Sequence, residues 1–127
     1  MTATFADVAK SDYILLTTFT KDGRPKPTAI WAAPADDGLI AITQETSWKV
    51  KRIRNTARVT IAPCDKAGKP KGEAVEATAR ILDKSANAAT YDALAKRYGL
   101  LGKVFNFFSK LRGGMRKNVS VEIKPVN

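Results

Sequence analysis

Three short apolar runs near the start of the chain are separated by two tight turns. Tyr13–Phe19 (YILLTTF) is rich in β-branched and aromatic residues and predicts a strand. Lys21-Asp22-Gly23-Arg24 follows, and Asp-Gly supplies the positive φ that a hairpin turn needs. Pro27–Ala33 (PTAIWAA) is then the returning strand. A second turn at Asp36-Asp37-Gly38 leads into Leu39–Thr43 (LIAIT). Strands joined by such short turns run antiparallel, so the opening third of the chain is a β-meander.

The pattern continues with short helices between strands. Thr46 or Ser47 can N-cap a helix reaching about Asn55, with Val50, Ile53 and Ala57 on one face. Arg58–Pro63 resumes strand, and Asp65–Gly72 (DKAGKPKG) is a polar loop punctuated by Gly and Pro. In Glu73–Leu82, Val75, Ala77, Ala79 and Ile81 alternate with Glu76, Thr78 and Arg80, the period of a strand with two different faces. Glu76 and Arg80 share a face and are expected to pair. Asp83 or Ser85 can cap a helix to about Tyr98. Leu100–Leu111 (LLGKVFNFFSKL) reads as a second amphipathic helix, broken by Gly113-Gly114. Val119, Val121 and Ile123 mark a last strand, and Phe5–Lys10 a short leading helix. The expected fold is mainly β with short helices: six antiparallel strands in a small barrel, one domain over residues 1–127.

Composition removes whole classes of chemistry. The 127 residues include no His and one Cys. A Ser-His-Asp triad, a Cys-His dyad and a His-ligated zinc are all excluded, and no metal site is expected. Cys64 cannot form an internal disulfide, and with no imidazole to activate it an inert buried thiol is expected. Residues 1–12 do not resemble a secretory signal, and no apolar run reaches the roughly 18 residues of a membrane span. A reducing, cytoplasmic setting is expected.

The net charge of +10 is concentrated. Residues 49–58 carry +5 and residues 96–117 carry +7, with no acid in either, which leaves −2 for the rest. In the first segment, Thr43 and Ser47 lie at a strand end and a helix start, followed at once by Lys49, Lys51 and Arg52. A helix N-terminus presents free N–H groups and a positive dipole end, so this is a candidate phosphate site. Lys49 and Arg52 are spaced to close on one anion. The alternative is a capped surface helix with solvated cations. Trp31 stands among Ala29, Ala32 and Ala33, small residues that would let a flat ring approach the strand, although a core tryptophan is the commoner fate of such a residue in an apolar strand. The Phe-rich stretch 100–112 suits packing on the barrel or on a dimer partner, or a peripheral membrane contact.

The order of these motifs resembles the pyridoxamine 5′-phosphate oxidase-like split-barrel family. Within it the chain is most similar to the actinobacterial F420-dependent branch, the flavin/deazaflavin oxidoreductases of type B. The resemblance rests on TTF-x-x-DGRP at Thr17–Pro25, on Thr28-Ala29-Ile30-Trp31, and on S-x-K-x-x-R-I-R-N at Ser47–Asn55, with VTIAPCD at Val59–Asp65. It implies a six-stranded FMN-binding split barrel that forms a homodimer, with cofactor sites at the dimer interface. Carried onto this sequence, it sets the cofactor phosphate at Thr43, Ser47 and Lys49, with Trp48, Lys51 and Arg52 nearby. It lays Thr28, Ala29, Ile30 and Trp31 along the ring system. No long arginine- and histidine-rich C-terminal strand of the kind that recognises pyridoxal phosphate is present, so oxidation of pyridoxamine phosphate itself is not expected.

The implied function is hydride transfer from reduced F420 to an unsaturated small-molecule substrate, with the cofactor carrying the chemistry. F420 is a polyanion, which suits a groove near Lys51, Arg54 and Arg58; FMN is the alternative cofactor. A carrier that binds F420 without turnover is the rival from another class. Nucleic acid is not an expected partner, because stacking aromatics should interleave the basic run and only Trp48 stands beside it.

Overall fold

The computed structural model describes residues 4–98 and 117–126. Helix α1 (Phe5–Ala9) is closed by a capping box between Thr4 and Asp7. It is followed by β1 (Tyr13–Phe19), β2 (Pro25–Ile30), β3 (Ala32–Ala35), β4 (Gly38–Gln44), α2 (Trp48–Asn55), β5 (Arg58–Cys64), β6 (Val75–Ile81), a 3-10 turn at Lys84–Ala86, α3 (Asn87–Tyr98) and β7 (Asn118–Pro125). The stretch 100–112 and the glycine pair after it lie outside the described residues.

All seven strands join one antiparallel sheet in the order β2-β1-β5-β6-β7-β4-β3. Its two edges, β2 and β3, are neighbours in the chain, separated only by Trp31. Two trans peptide links span at most about 7.6 Å between Cα atoms. The sheet is therefore drawn round into an open curl whose edges meet at this residue. Here the six-strand expectation is corrected. The predicted single strand over Pro27–Ala33 is divided at Trp31, because Ile30 pairs with Ile14 on one edge while Ala32 pairs with Ala41 on the other. The mainly β expectation stands.

The curl has an inside and an outside, and β4 is buried on both faces. Leu39 and Ala41 point into the interior cluster with Ile14, Leu16, Val59, Ile61, Ala77, Ala79, Val121 and Ile123. Ile42 instead joins Ala33, Tyr91 and Leu94 in a second cluster under α3. Polar groups at the α3–β7 contact pair with one another: Thr90 and Ser120 hydroxyls lie 2.7 Å apart, Ser120 donates to Asn87 at 2.8 Å, and Asn118 donates to the Tyr91 hydroxyl at 2.8 Å.

Other expectations hold in part. Gly23 takes φ +85° in the first hairpin, whereas at the second turn it is Asp36 that takes φ +54°. Val50 and Ile53 of α2 are buried, but Ala57 falls beyond the helix and is exposed. Glu76 and Arg80 do not pair with each other. Cross-strand register brings Arg58 to Glu76 at 2.8 Å and Arg80 to Glu122 at 2.7 Å, because neighbouring strands offer closer partners than positions four apart on one strand. Cys64 is buried, and burial pushes its thiol pKa up, as an inert cysteine requires.

Gly38 begins β4 where the sheet leaves no room for a side chain. A Cβ there would run into the backbone carbonyl of Ile123 on β7. Gly38→Ala should therefore destabilise the fold by about 1–3 kcal/mol, read as a lowered midpoint in denaturant; an unchanged midpoint would contradict the close β4–β7 contact.

Candidate functional site

Where the two sheet edges meet, a cavity of about 500 Å³ opens. It is lined by Tyr13 from β1, Ala29 and Ile30 from β2, Trp31, Ile42, Thr43 and Gln44 from β4, Ser47 and Lys49 at the start of α2, and Lys66 from the β5–β6 loop. One wall is apolar and aromatic; the other carries hydroxyls and cations.

The polar wall follows from how α2 begins. The Ser47 hydroxyl oxygen accepts from the Val50 N–H at 3.4 Å, which caps the helix and leaves the hydroxyl proton free to donate elsewhere. Lys49, in the first turn, is half-buried. Burial lowers its pKa first, and the nearby Arg52 charge lowers it further. Among the described residues no carboxylate pairs with Lys49. A partly desolvated ammonium without a counter-charge, facing a cavity, is a place where a bound anion would be favoured.

The aromatic wall is held from α3. The Tyr98 ring stacks on Trp31 with centroids 4.8 Å apart and planes 21° apart. The Tyr13 ring meets Trp31 at 6.3 Å and 58°. The Tyr98 hydroxyl accepts from the Ala32 N–H at 3.1 Å, and its own proton faces the carbonyls of Asp12 at 2.8 Å and Ala32 at 3.2 Å. Burial raises the Tyr98 pKa, so the phenol stays protonated and keeps its donor. Trp31 is partly buried: it packs against the outer core cluster and it lines the cavity.

Of the residues expected at the site, the cavity gathers Ala29, Ile30, Trp31, Thr43, Ser47 and Lys49. Thr28, Trp48, Lys51 and Arg52 are not among its lining residues. The Arg52 Nε donates to the Thr18 hydroxyl at 2.7 Å and ties α2 to β1. Trp48 is 68% exposed, with the Lys51 ammonium 4.4 Å from its ring centroid. Arg58, expected with Lys51 and Arg54 in a groove suited to a polyanion, sits over the Phe19 ring and pairs with Glu76. Phe19 and Tyr13 stand at opposite ends of β1, about 20 Å apart at 3.4 Å per residue.

Sequence reasoning missed Tyr13, Ile42, Gln44 and Lys66. Lys66 is the instructive one. Asp65 accepts from the Ala67 and Lys69 N–H groups at 2.9 Å, and Gly68 turns with φ +89° against Leu15 and Ala29. The loop thus folds back over β1 and β2 and brings Lys66 to the cavity. The Asp and Gly turn signals were visible, but where the loop would land was not. No group of three or more metal-ligating side chains occurs among the described residues, and none of their helices is long and apolar enough to cross a membrane.

Comparison with known proteins bears on the same architecture. No curated protein matches the chain by sequence. Among solved structures, a conserved hypothetical protein from Mycobacterium tuberculosis superposes with TM-score 0.71 at 24% identity, covering 100% of this chain and 83% of that one. The heme storage protein HutZ from Vibrio cholerae gives TM-score 0.67 at 12% identity, over 94% and 85% of the two chains. A protein described as an F420 reductase gives 0.65 at 18% identity, over 100% and 97%. At these identities the likeness establishes the shared fold alone. The family model described as pyridoxamine 5′-phosphate oxidase matches residues 1–126. With the curled sheet and its cavity, that match over nearly the whole length makes the chain a member of the pyridoxamine 5′-phosphate oxidase family.

Proposed function

We propose that the cavity binds the deazaflavin cofactor F420 and that the protein is an F420-dependent oxidoreductase acting on an unsaturated small molecule. The observation that carries this reading is the half-buried Lys49, which lacks a carboxylate partner among the described residues and shares one cavity with the apolar wall of Ala29, Ile30 and Trp31. A ligand with a flat ring system and an anionic group fits that donor set. When bound, F420 supplies the hydride. The protein's part is to bind and orient: Lys49 and the Ser47 hydroxyl hold the phosphate, Thr43 stands beside them, and the apolar wall excludes water from the ring. The general family likeness to an F420 reductase supports the reading. In this reading the protein is a cytoplasmic homodimer, each subunit helping to complete its partner's site.

FMN, with its single phosphate, is the alternative occupant of the same donor set. Haem fits less well, because the chain has no histidine and so lacks the imidazole that holds haem iron in globins and peroxidases.

Titration with F420 and with FMN, followed by fluorescence, tests the cofactor. Tight FMN binding without F420 binding would replace the reading. Turnover of a quinone and enone panel with reduced F420 separates an enzyme from a carrier, since a carrier binds without reducing any member. Lys49→Ala should weaken F420 binding about tenfold or more, the loss of one charge-assisted contact, with the thermal midpoint nearly unchanged. Unaltered affinity would remove Lys49 from the phosphate site.

The pH dependence has a defined sign. Because the Lys49 pKa is lowered, its positive charge is lost at a pH below the ordinary lysine range. Affinity for the anion should fall as pH rises through that lowered value. Lys49→Arg should carry the fall to higher pH, because guanidinium does not deprotonate there. A pH profile identical in the two proteins would assign the decline to another group.

A further inference from the structure

We propose that Tyr98 is the positioning residue of the cavity: it fixes the Trp31 indole as the aromatic wall and so sets ligand affinity without touching the ligand. The inference deepens the cofactor-site reading, on which its binding arm rests.

Three observations converge on it. First, Trp31 sits where the chain leaves one sheet edge and joins the other, outside both strand ladders. Strand pairing therefore does not set its backbone as it sets that of Ile30 or Ala32. Second, Tyr98 holds the backbone on either side of this region. Its hydroxyl bonds the Ala32 N–H and faces the carbonyls of Asp12 and Ala32, so one phenol clasps the chain just before β1 and just after Trp31. Third, the same side chain lays its ring on the indole at 4.8 Å and 21°, an offset stack that restricts the indole. Tyr98 is not among the residues lining the cavity, whereas Trp31 is. An effect of Tyr98 on ligand binding is then indirect, and the residue it stacks on is Trp31. Arg97, beside it, anchors the same helix end by donating to the Ser11 carbonyl at 2.7 Å. The last turn of α3 is thus fastened to the segment before β1 at two points, and the aromatic wall is referenced to both.

The two functions of the side chain can be separated. Tyr98→Phe keeps the ring and removes the hydroxyl; Tyr98→Leu removes the stack as well. The chain has two tryptophans, so a Trp48→Phe background leaves Trp31 as the sole indole reporter. In that background Tyr98→Phe should raise acrylamide quenching of Trp31 and shift its emission to the red, and Tyr98→Leu should do so further. Far-ultraviolet circular dichroism confirms that each variant is folded. Should Tyr98→Leu not fold, Tyr98→Phe alone decides.

The binding arm is a double-mutant cycle with Trp31→Ala, using F420 and FMN as probes. Tyr98→Phe should weaken binding about three- to tenfold when Trp31 is present and have little effect when it is absent. An equal loss in both backgrounds would mean that Tyr98 acts on the ligand directly or through general stability, and would overturn the proposal. Unchanged quenching of Trp31 in the folded Tyr98 variants would overturn it as well. If neither probe binds the wild-type protein, the cofactor reading fails, and the quenching arm still decides whether Tyr98 positions Trp31.

Discussion

The structure depends on the way one residue joins the two edges of a seven-stranded sheet. Because β2 and β3 are consecutive in the chain yet lie at opposite ends of the strand order, the sheet has to curl until its edges are within two peptide links of each other. The curl encloses the interior cluster around Ile14, Leu39, Ile61 and Ile123, and it leaves a gap where the edges meet without pairing. The cavity opens at that gap. The same constraint that makes the core makes the site.

What lines the gap comes from elements far apart in sequence. β1 and β2 bring an aromatic and apolar surface, and α2 brings its capped first turn with Ser47 and Lys49. The β5–β6 loop, fixed by Asp65 and Gly68, brings Lys66. α3 contributes from behind, through the Tyr98 phenol on the backbone around Trp31. Three of the other four cations of the 49–58 run have contacts elsewhere, and Arg54 is exposed: Arg52 braces α2 against β1, Arg58 pairs with Glu76, and Lys51 lies over Trp48. A basic run thus divides into one half-buried cation at the cavity and several that hold or coat the outside.

Much of this was legible beforehand. The bounds of β1 match the apolar run Tyr13–Phe19, because an uninterrupted β-branched and aromatic segment ended by Asp-Gly has few other solutions. A helix cap at Thr46 or Ser47, which proves to be Ser47, the inward Ala77 and Ala79, and the buried Cys64 followed from equally local chemistry. The resemblance to the split-barrel family, carried by the Thr17–Pro25 and Ser47–Asn55 motifs, pointed to Trp31, Thr43, Ser47 and Lys49 together, and the cavity gathers those four. The division of the second strand was not legible, because Pro27–Ala33 is continuous in its apolar pattern and nothing in it marks a change of partner.

Sequence by itself determined most of the strands, the first hairpin turn, the helix caps and the exclusion of histidine-based chemistry, since each depends on residues a few positions apart or on composition alone. Only the tertiary structure decided which cations reach the cavity and which are tied up in pairs, that a loop lysine joins them, and that a tyrosine 67 residues after Trp31 holds its indole in place. The physical reason is the curl. Contacts between Trp31 and Tyr98, between Arg52 and Thr18, and between the β5–β6 loop and β2 exist only once the sheet has closed round its core, and no local pattern carries that information.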